Sequence, residues 1–259
     1  MKNNKLALIT WASSWLWKEF AYIHAEKWWD LILIARRWDK LDVIKQDLET
    51  KYKNNIYIIV QDLSAINAWE IIYNRVLDLW LEVDYLINNA GFWWMWAFYQ
   101  RNIDDDINMI QVNVIALTQL TSLFLKDFIK KDSWKILNVS STASLIPGPL
   151  QSVYYATKAY VTSFSNSLYQ EVLETNVSVT TLLPGATKTE FWDKSGMGKT
   201  KIFNTTADAY TVALDWYNGM LNNKLNVISG VTPFYRILLW FAPLFPKKIV
   251  LKIVNYLQK

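Results

Sequence analysis

The 259-residue chain has no cysteine, a single histidine and only 7 glycines. Without cysteine there can be no disulfide frame, no thiolate metal site and no cysteine nucleophile, a usage that suits a reducing compartment. One histidine cannot assemble a metal site. His24 stands mid-helix among Tyr22, Ala25 and Lys27, which predicts a surface or boundary position and no catalytic role. Charged residues make up only 19% against 52% hydrophobic, so the chain can bury a sizeable core and wholesale disorder is excluded. Its net charge of +4 is scattered, with no basic run of five or six, which argues against a nucleic-acid partner. The opening MKNNKLALIT enters strand pattern at once, so neither a signal peptide nor a spanning helix is expected, and the expected location is the cytoplasm.

Apolar runs of strand length alternate with segments of helical period. KLALIT, DLILIA, NIYIIVQ, VDYLINNAG, WKILNVSS, VSVTTLLPG and LNVIS read as strands; residues 14–27, 39–52, 65–79, 103–130, 152–174 and 205–222 read as helices, with Asp39, Ser64 and Thr205 or Thr206 as N-caps. Strands of continuous apolar character are buried on both faces, as in a parallel sheet. The expected fold is therefore α/β: a doubly wound parallel sheet of about seven strands, helices on both faces, one domain over 1–259. Such sheets bind ligands beyond the carboxyl ends of their strands.

Those strand ends carry the chemistry. After the first strand, Thr10 is followed by residues 11, 15 and 17 at the spacing of a glycine-rich phosphate loop. After the second come Arg36 and Arg37, where an acid would bind a free ribose 2′-hydroxyl and an arginine accommodates a 2′-phosphate; they favour NADP(H) over NAD(H). Asp62 and Leu63 follow the third strand, and Asn88, Asn89, Ala90 and Gly91 the fourth. Tyr154 and Lys158 are four apart on one helix face, 13 residues beyond Ser141, which ends the strand ILNVSS. Carbonyl reduction needs a proton at oxygen as hydride reaches carbon. A tyrosine with pKa near 10 holds its proton too firmly, and a nearby ammonium favours the phenolate. Ser141 can hold the substrate oxygen against the phenol.

Together TWASSWLW, NNAG, Asn113 in QVNVIALT, NVSS, YYATK and LLPGATKTEF resemble the short-chain dehydrogenase/reductase family in its single-domain NADP(H)-dependent branch. The resemblance implies a Rossmann-type sheet, a small-molecule carbonyl or alcohol substrate and a homo-oligomer, dimer or tetramer. It implies a tetrad of Asn113, Ser141, Tyr154 and Lys158, with Asn113 on a water-linked relay to Lys158. The implied cofactor contacts are residues 11 and 13–17, that is Trp11, Ser13, Ser14, Trp15, Leu16 and Trp17, then Arg36, Arg37, Asp62, Leu63, Asn89, Ala90, Gly91, Tyr154 and Lys158. Pro184, Gly185, Thr187 and Thr189 would meet the nicotinamide and pyrophosphate. Residues 1–150 would be mainly the dinucleotide half and 151–233 the catalytic helix and lid, the lid lying at 191–204.

The departure from the family is tryptophan. Trp11, Trp15 and Trp17 occupy all three glycine positions of the loop, where the backbone must reach a pyrophosphate. Average glycine usage of about 7% would give roughly 18 in this length; Gly and Trp together number 7 + 15 = 22. Trp28 or Trp29, Trp80, Trp96 and Trp134 also sit where relatives place a turn glycine. Loss of cofactor binding would not reach those remote turns. The pattern predicts that UGA codons decoded as glycine in the source are written here as tryptophan. The rival reading is a non-catalytic binding or scaffold protein whose loop is blocked. Finally, 234–257 is apolar and basic: it reads as an amphipathic element on a membrane surface, or as a cover for the substrate pocket or an oligomer interface.

Overall fold

The computed structural model describes residues 4–10, 15–186 and 207–258, and for Trp15, Leu16, Trp17 and Pro243 the backbone alone. Seven strands form one sheet: β1 Leu6–Thr10, β2 Asp30–Ala35, β3 Ile56–Val60, β4 Tyr85–Asn88, β5 Lys135–Val139, β6 Ser178–Pro184 and β7 Asn226–Ser229. All neighbours are parallel, in the order β3-β2-β1-β4-β5-β6-β7. This is the expected doubly wound Rossmann-type architecture. The order reverses between β1 and β4, and the crevice beyond their carboxyl ends is where such sheets bind nucleotides.

Strand periodicity sends alternate residues of one strand into different layers. Ala7 and Ile9 of β1 pack with Phe20, Ala21, Trp216 and Tyr217, which belong to helices α1 (Trp15–Ala25) and α7 (Ala209–Leu221). Leu6 and Leu8 pack on the opposite face with Ile72, Val76, Leu120, Phe124, Phe128 and Leu168. Those residues come from α3 (Ala68–Asp78), α5 (Leu117–Lys131) and α6 (Ser152–Glu171). The remaining helices are α2 (Trp38–Tyr52), α4 (Ile103–Ile110), α8 (Pro233–Phe241) and α9 (Lys247–Leu257). At roughly 1.5–3 kcal/mol for each large apolar side chain buried, these two layers are the main stabilising term.

Several local expectations are corrected. His24 lies in the core, fully buried, with Nδ1 2.8 Å from the Tyr217 hydroxyl; the helix face it occupies turns inward onto α7. Helix α2 is capped at Arg37 rather than Asp39, and α3 at Asn67 rather than Ser64, because Ser64 instead bonds Asp62 within a turn. For α7 the cap is Asp208, which accepts from Thr211 N at 2.9 Å, whereas Thr205 and Thr206 lie outside the described residues. Residues 107–125 carry no charged side chain, and the helical stretch Ile103–Lys131 is long and apolar enough to cross a membrane. Its Leu117, Leu120, Phe124 and Phe128 are buried against the sheet, which is how an internal helix of this fold earns its apolar sequence. Between α4 and α5 that stretch makes a π-helical turn, Gln111–Ala116, a wide turn often found at functional sites.

Among the described residues, three tryptophans sit on left-handed backbone, Trp28 at φ 63°, Trp80 at φ 54° and Trp134 at φ 103°. Trp80 N donates to Leu77 O and Leu81 N to Val76 O, the Schellman pattern in which the left-handed residue is usually glycine. Trp96 shows no such backbone. The indole N–H groups of Trp94, Trp134 and Trp216 are buried without a hydrogen-bond partner, a further cost at each.

Candidate active site

Beyond β1 and β4, Thr10 ties the two strand ends together. Its buried Oγ1 accepts from Asn89 N at 3.1 Å and Ala90 N at 3.0 Å, while Asn89 Nδ2 donates to the Thr10 carbonyl at 3.3 Å. The chain then turns at Gly91, where a Cβ would stand 3.1 Å from Lys158 Nζ and 3.3 Å from Asn113 Oδ1. Gly91 therefore lets the NNAG turn close onto two of the expected catalytic side chains.

Asn113 is fully buried on the π turn. Its Oδ1 accepts from Phe92 N at 3.1 Å; its Nδ2 donates to Phe92 O at 3.0 Å and Thr157 Oγ1 at 3.1 Å. Helix α6 supplies Tyr154 and Lys158 one turn apart. Lys158 is buried, its Nζ 2.8 Å from the Val139 carbonyl and 5.9 Å from the centre of the Tyr154 ring. Burial pushes its pKa down to about 8. Ser141 opens a 3₁₀ turn, Thr142–Leu145, with its Oγ accepting from Ala143 N at 3.1 Å, and its side chain also bonds the Tyr154 phenol. Burial pushes the phenol up to about 12, with the Ser141 hydrogen bond pulling against it. The lowering expected from Lys158 is not among the effects on the phenol, which are burial and the Ser141 hydrogen bond. The ammonium is directed at the Val139 carbonyl, and desolvation of the phenolate is the larger effect.

Asn113, Ser141, Tyr154 and Lys158 thus converge beyond β4 and β5. On the other side of the switch point, Arg36 follows β2, with Nη1 3.8 Å from Asp62 Oδ2, both side chains exposed. Leu63 is buried beside them, and Arg37 caps α2 through its backbone. Pro184 accepts from Thr142 Oγ1 at 3.1 Å, and Gly185 N donates to Ser229 O at 2.9 Å. A Cβ on Gly185 would lie 2.5 Å from the Gly230 carbonyl, so only glycine fits there. Trp11, Ser13, Ser14, Thr187, Thr189 and the lid at 191–204 lie outside the described residues, as do the side chains of Trp15, Leu16 and Trp17.

Sequence reasoning missed the polar scaffold under the site. Asn88 Nδ2 donates to Thr121 Oγ1 at 3.0 Å and to Asn138 Oδ1 at 2.9 Å, and Asn138 Nδ2 donates to Ser165 Oγ at 2.9 Å. This chain links α5, β4, β5 and α6, and so fixes the strand ends relative to the Tyr154 helix. The available signal was an asparagine next to an apolar run in each strand, Asn88 after YLI and Asn138 within ILNV, because a buried amide must find partners.

The model of the short chain dehydrogenase family matches residues 5–199. The chain belongs to the short-chain dehydrogenase family. Very-long-chain 3-oxoacyl-CoA reductase-B of Danio rerio is 30% identical over 184 residues, covering 70% of this chain and 58% of that protein. An NADP-dependent 3-hydroxy acid dehydrogenase of Schizosaccharomyces pombe is 32% identical over 191 residues, 73% of this chain and 74% of that one. Among solved structures, a short-chain dehydrogenase from Sphingobium yanoikuyae in complex with NADPH superimposes with a TM-score of 0.82 at 26% identity, over 92% of this chain and 91% of that one. The match to the first of these covers less than two thirds of its length.

Proposed function

We propose that the protein reduces a carbonyl with NADPH, or oxidises the corresponding secondary alcohol with NADP⁺, and that its substrate is a 3-oxoacyl or 3-hydroxyacyl compound like those named for its relatives. The observation that carries the reading is the convergence of Ser141, Tyr154, Lys158 and Asn113 beside the β1/β4 switch point. What supports a dinucleotide is position: exposed Arg36 follows β2, and Asn89 and Ala90 follow β4, at the carboxyl ends of strands beside the switch point, where such sheets bind nucleotides. Tryptophan at 11, 15 and 17 does not fit, since overpacking costs about 1–3 kcal/mol per site. The left-handed backbone at Trp28, Trp80 and Trp134 supports glycine as the natural residue at those three positions.

In the glycine form, residues 11–17 would hold the pyrophosphate, Arg36 a 2′-phosphate, Asp62 and Leu63 the adenine, and Lys158 the nicotinamide ribose. When bound, the nicotinamide supplies or accepts the hydride at the carbonyl carbon. Tyr154 donates its phenolic proton to the carbonyl oxygen in reduction, and takes it back in oxidation. Ser141 donates a hydrogen bond to the same oxygen and aligns it with the phenol. The Lys158 ammonium stabilises the phenolate left behind, and Asn113 holds the π turn against Phe92 and Thr157 so that the lysine has a fixed approach. Trp93 stands 5.7 Å, ring centre to ring centre, from Tyr154; glycine at 93 would clear the space over the phenol.

The test is NADPH oxidation by the glycine-decoded protein with a panel of 3-oxoacyl thioesters. Tyr154→Phe should lower kcat by about 10²–10⁴-fold, the usual contribution of a positioned acid. Turnover unchanged in Tyr154→Phe refutes the mechanism. Tight NADPH binding by the chain with all tryptophans retained would refute the glycine assignment.

A further inference from the structure

We propose that the C-terminal helical pair, α8 and α9, seats the protein on an anionic lipid surface. On α8, Phe234, Ile237, Leu238 and Phe241 recur at i, i+3, i+4 and i+7 and all are exposed, while Leu239 is buried as the inward anchor. The connecting turn, Ala242–Leu244, presents Leu244 at 78% exposure, followed by exposed Phe245. Along α9, Ile249, Ile253 and Tyr256 make a second exposed row, and Val254 is turned inward. Lys248 and Lys252 lie beside that row, a turn apart. A soluble surface rarely leaves so many large apolar side chains to water without an interaction to cover them. Trp240 is also exposed, but the inference stands without it, and so does not depend on which residue is natural at 240.

Charge selects the occupant. After Asp215 the sequence has no acidic residue, whereas Lys224, Arg236, Lys247, Lys248, Lys252 and Lys259 are basic. A second copy meeting this face about a two-fold axis would bring like charges together with no carboxylate to pair them. An anionic bilayer offers both an apolar interior for the two rows and phosphate for the lysines, the arrangement of an interfacial amphipathic helix. The pair is also fastened to the globule at its far end. Buried Gln258 donates to the Tyr155 hydroxyl at 2.9 Å, next to Tyr154 at the start of α6. Docking through α8 and α9 therefore places the active-site end of the sheet close to the lipid. The proposal does not rest on the enzymatic reading.

Removing the segment would strip Leu239, Val254 and Gln258 from the packed structure, so surface substitutions are the better test. Flotation of the full-length chain with vesicles of mixed phosphatidylglycerol and phosphatidylcholine should show binding that falls at least tenfold on phosphatidylcholine alone, and weakens with salt. Leu244→Ser with Phe245→Ser, and separately Lys248→Glu with Lys252→Glu, should each lower vesicle binding about tenfold or more, with circular dichroism and thermal midpoint unchanged. Equal flotation of the variants and the parent overturns the proposal. So does light scattering that shows the parent as a dimer and the Leu244→Ser, Phe245→Ser variant as a monomer, since a second copy would then cover the face.

Discussion

At the scale of single residues, backbone conformation is a sharper witness than composition. Trp80 is 94% exposed at the left-handed position closing α3, so replacing it removes almost no buried surface. Trp80→Gly should stabilise the fold by about 1 kcal/mol, and Trp80→Ala should not, because alanine meets the same left-handed penalty. Urea unfolding of the two variants checks this directly. His24 makes a different kind of prediction. Burial holds its pKa down to about 3 against an ordinary value of 6.5, so the unfolded chain binds the extra proton first. Stability is then full above about pH 6.5 and declines as pH falls towards 3, with a limiting slope of about 1.4 kcal/mol per pH unit from this group. Unfolding midpoints at pH 7.5 and 5.5 should differ less in His24→Gln than in the parent. The helical period that placed His24 was legible in sequence. Its burial was not, because the partner that covers it, Tyr217, is 193 residues away.

Among elements, the Asn88–Asn138–Ser165 chain carries the consequence. Asn138→Ala would leave the Asn88 amide and the Ser165 hydroxyl short of partners inside the sheet, at about 1–3 kcal/mol for each buried group left unsatisfied. Part of that loss should appear as reduced kcat, since the same bonds set β5 and its Ser141 terminus against α6. Thermal denaturation and steady-state kinetics on one preparation separate the two effects. Strand and helix positions themselves followed from period and composition. Of the candidate catalytic residues, Ser141, Tyr154 and Lys158 were legible because they stand just after a strand or on one helix face, where a parallel sheet must place its ligand, whereas Asn113, on the π turn, followed only from the family resemblance. Helix caps were less so: Ser64 has the side chain of a cap, but its hydroxyl is taken by Asp62 at 2.8 Å, a competition that only three dimensions reveal.

For the whole molecule, cofactor and fold are linked by mass action. A ligand that binds only the folded state at a hundred times its Kd stabilises by about 2.7 kcal/mol. NADPH should therefore raise the thermal midpoint of the glycine-decoded protein and leave that of the tryptophan chain where it was. A rise in both would show that the loop tolerates indoles; a rise in neither would show that the Rossmann frame here binds no dinucleotide.

The sequence alone determined the parallel, doubly wound sheet class and the residues at its strand ends, because apolar period, strand length and motif order are properties of local chemistry; the order of the strands came from the structure. It also marked the tryptophans as out of place. The tertiary structure decided the rest: that Trp28, Trp80 and Trp134 fall on backbone favouring glycine, that the Tyr154 phenol is buried against Ser141, and that the C-terminal rows face water. Each of these depends on what surrounds a residue from distant parts of the chain, and solvation, unlike periodicity, is set only when those parts meet.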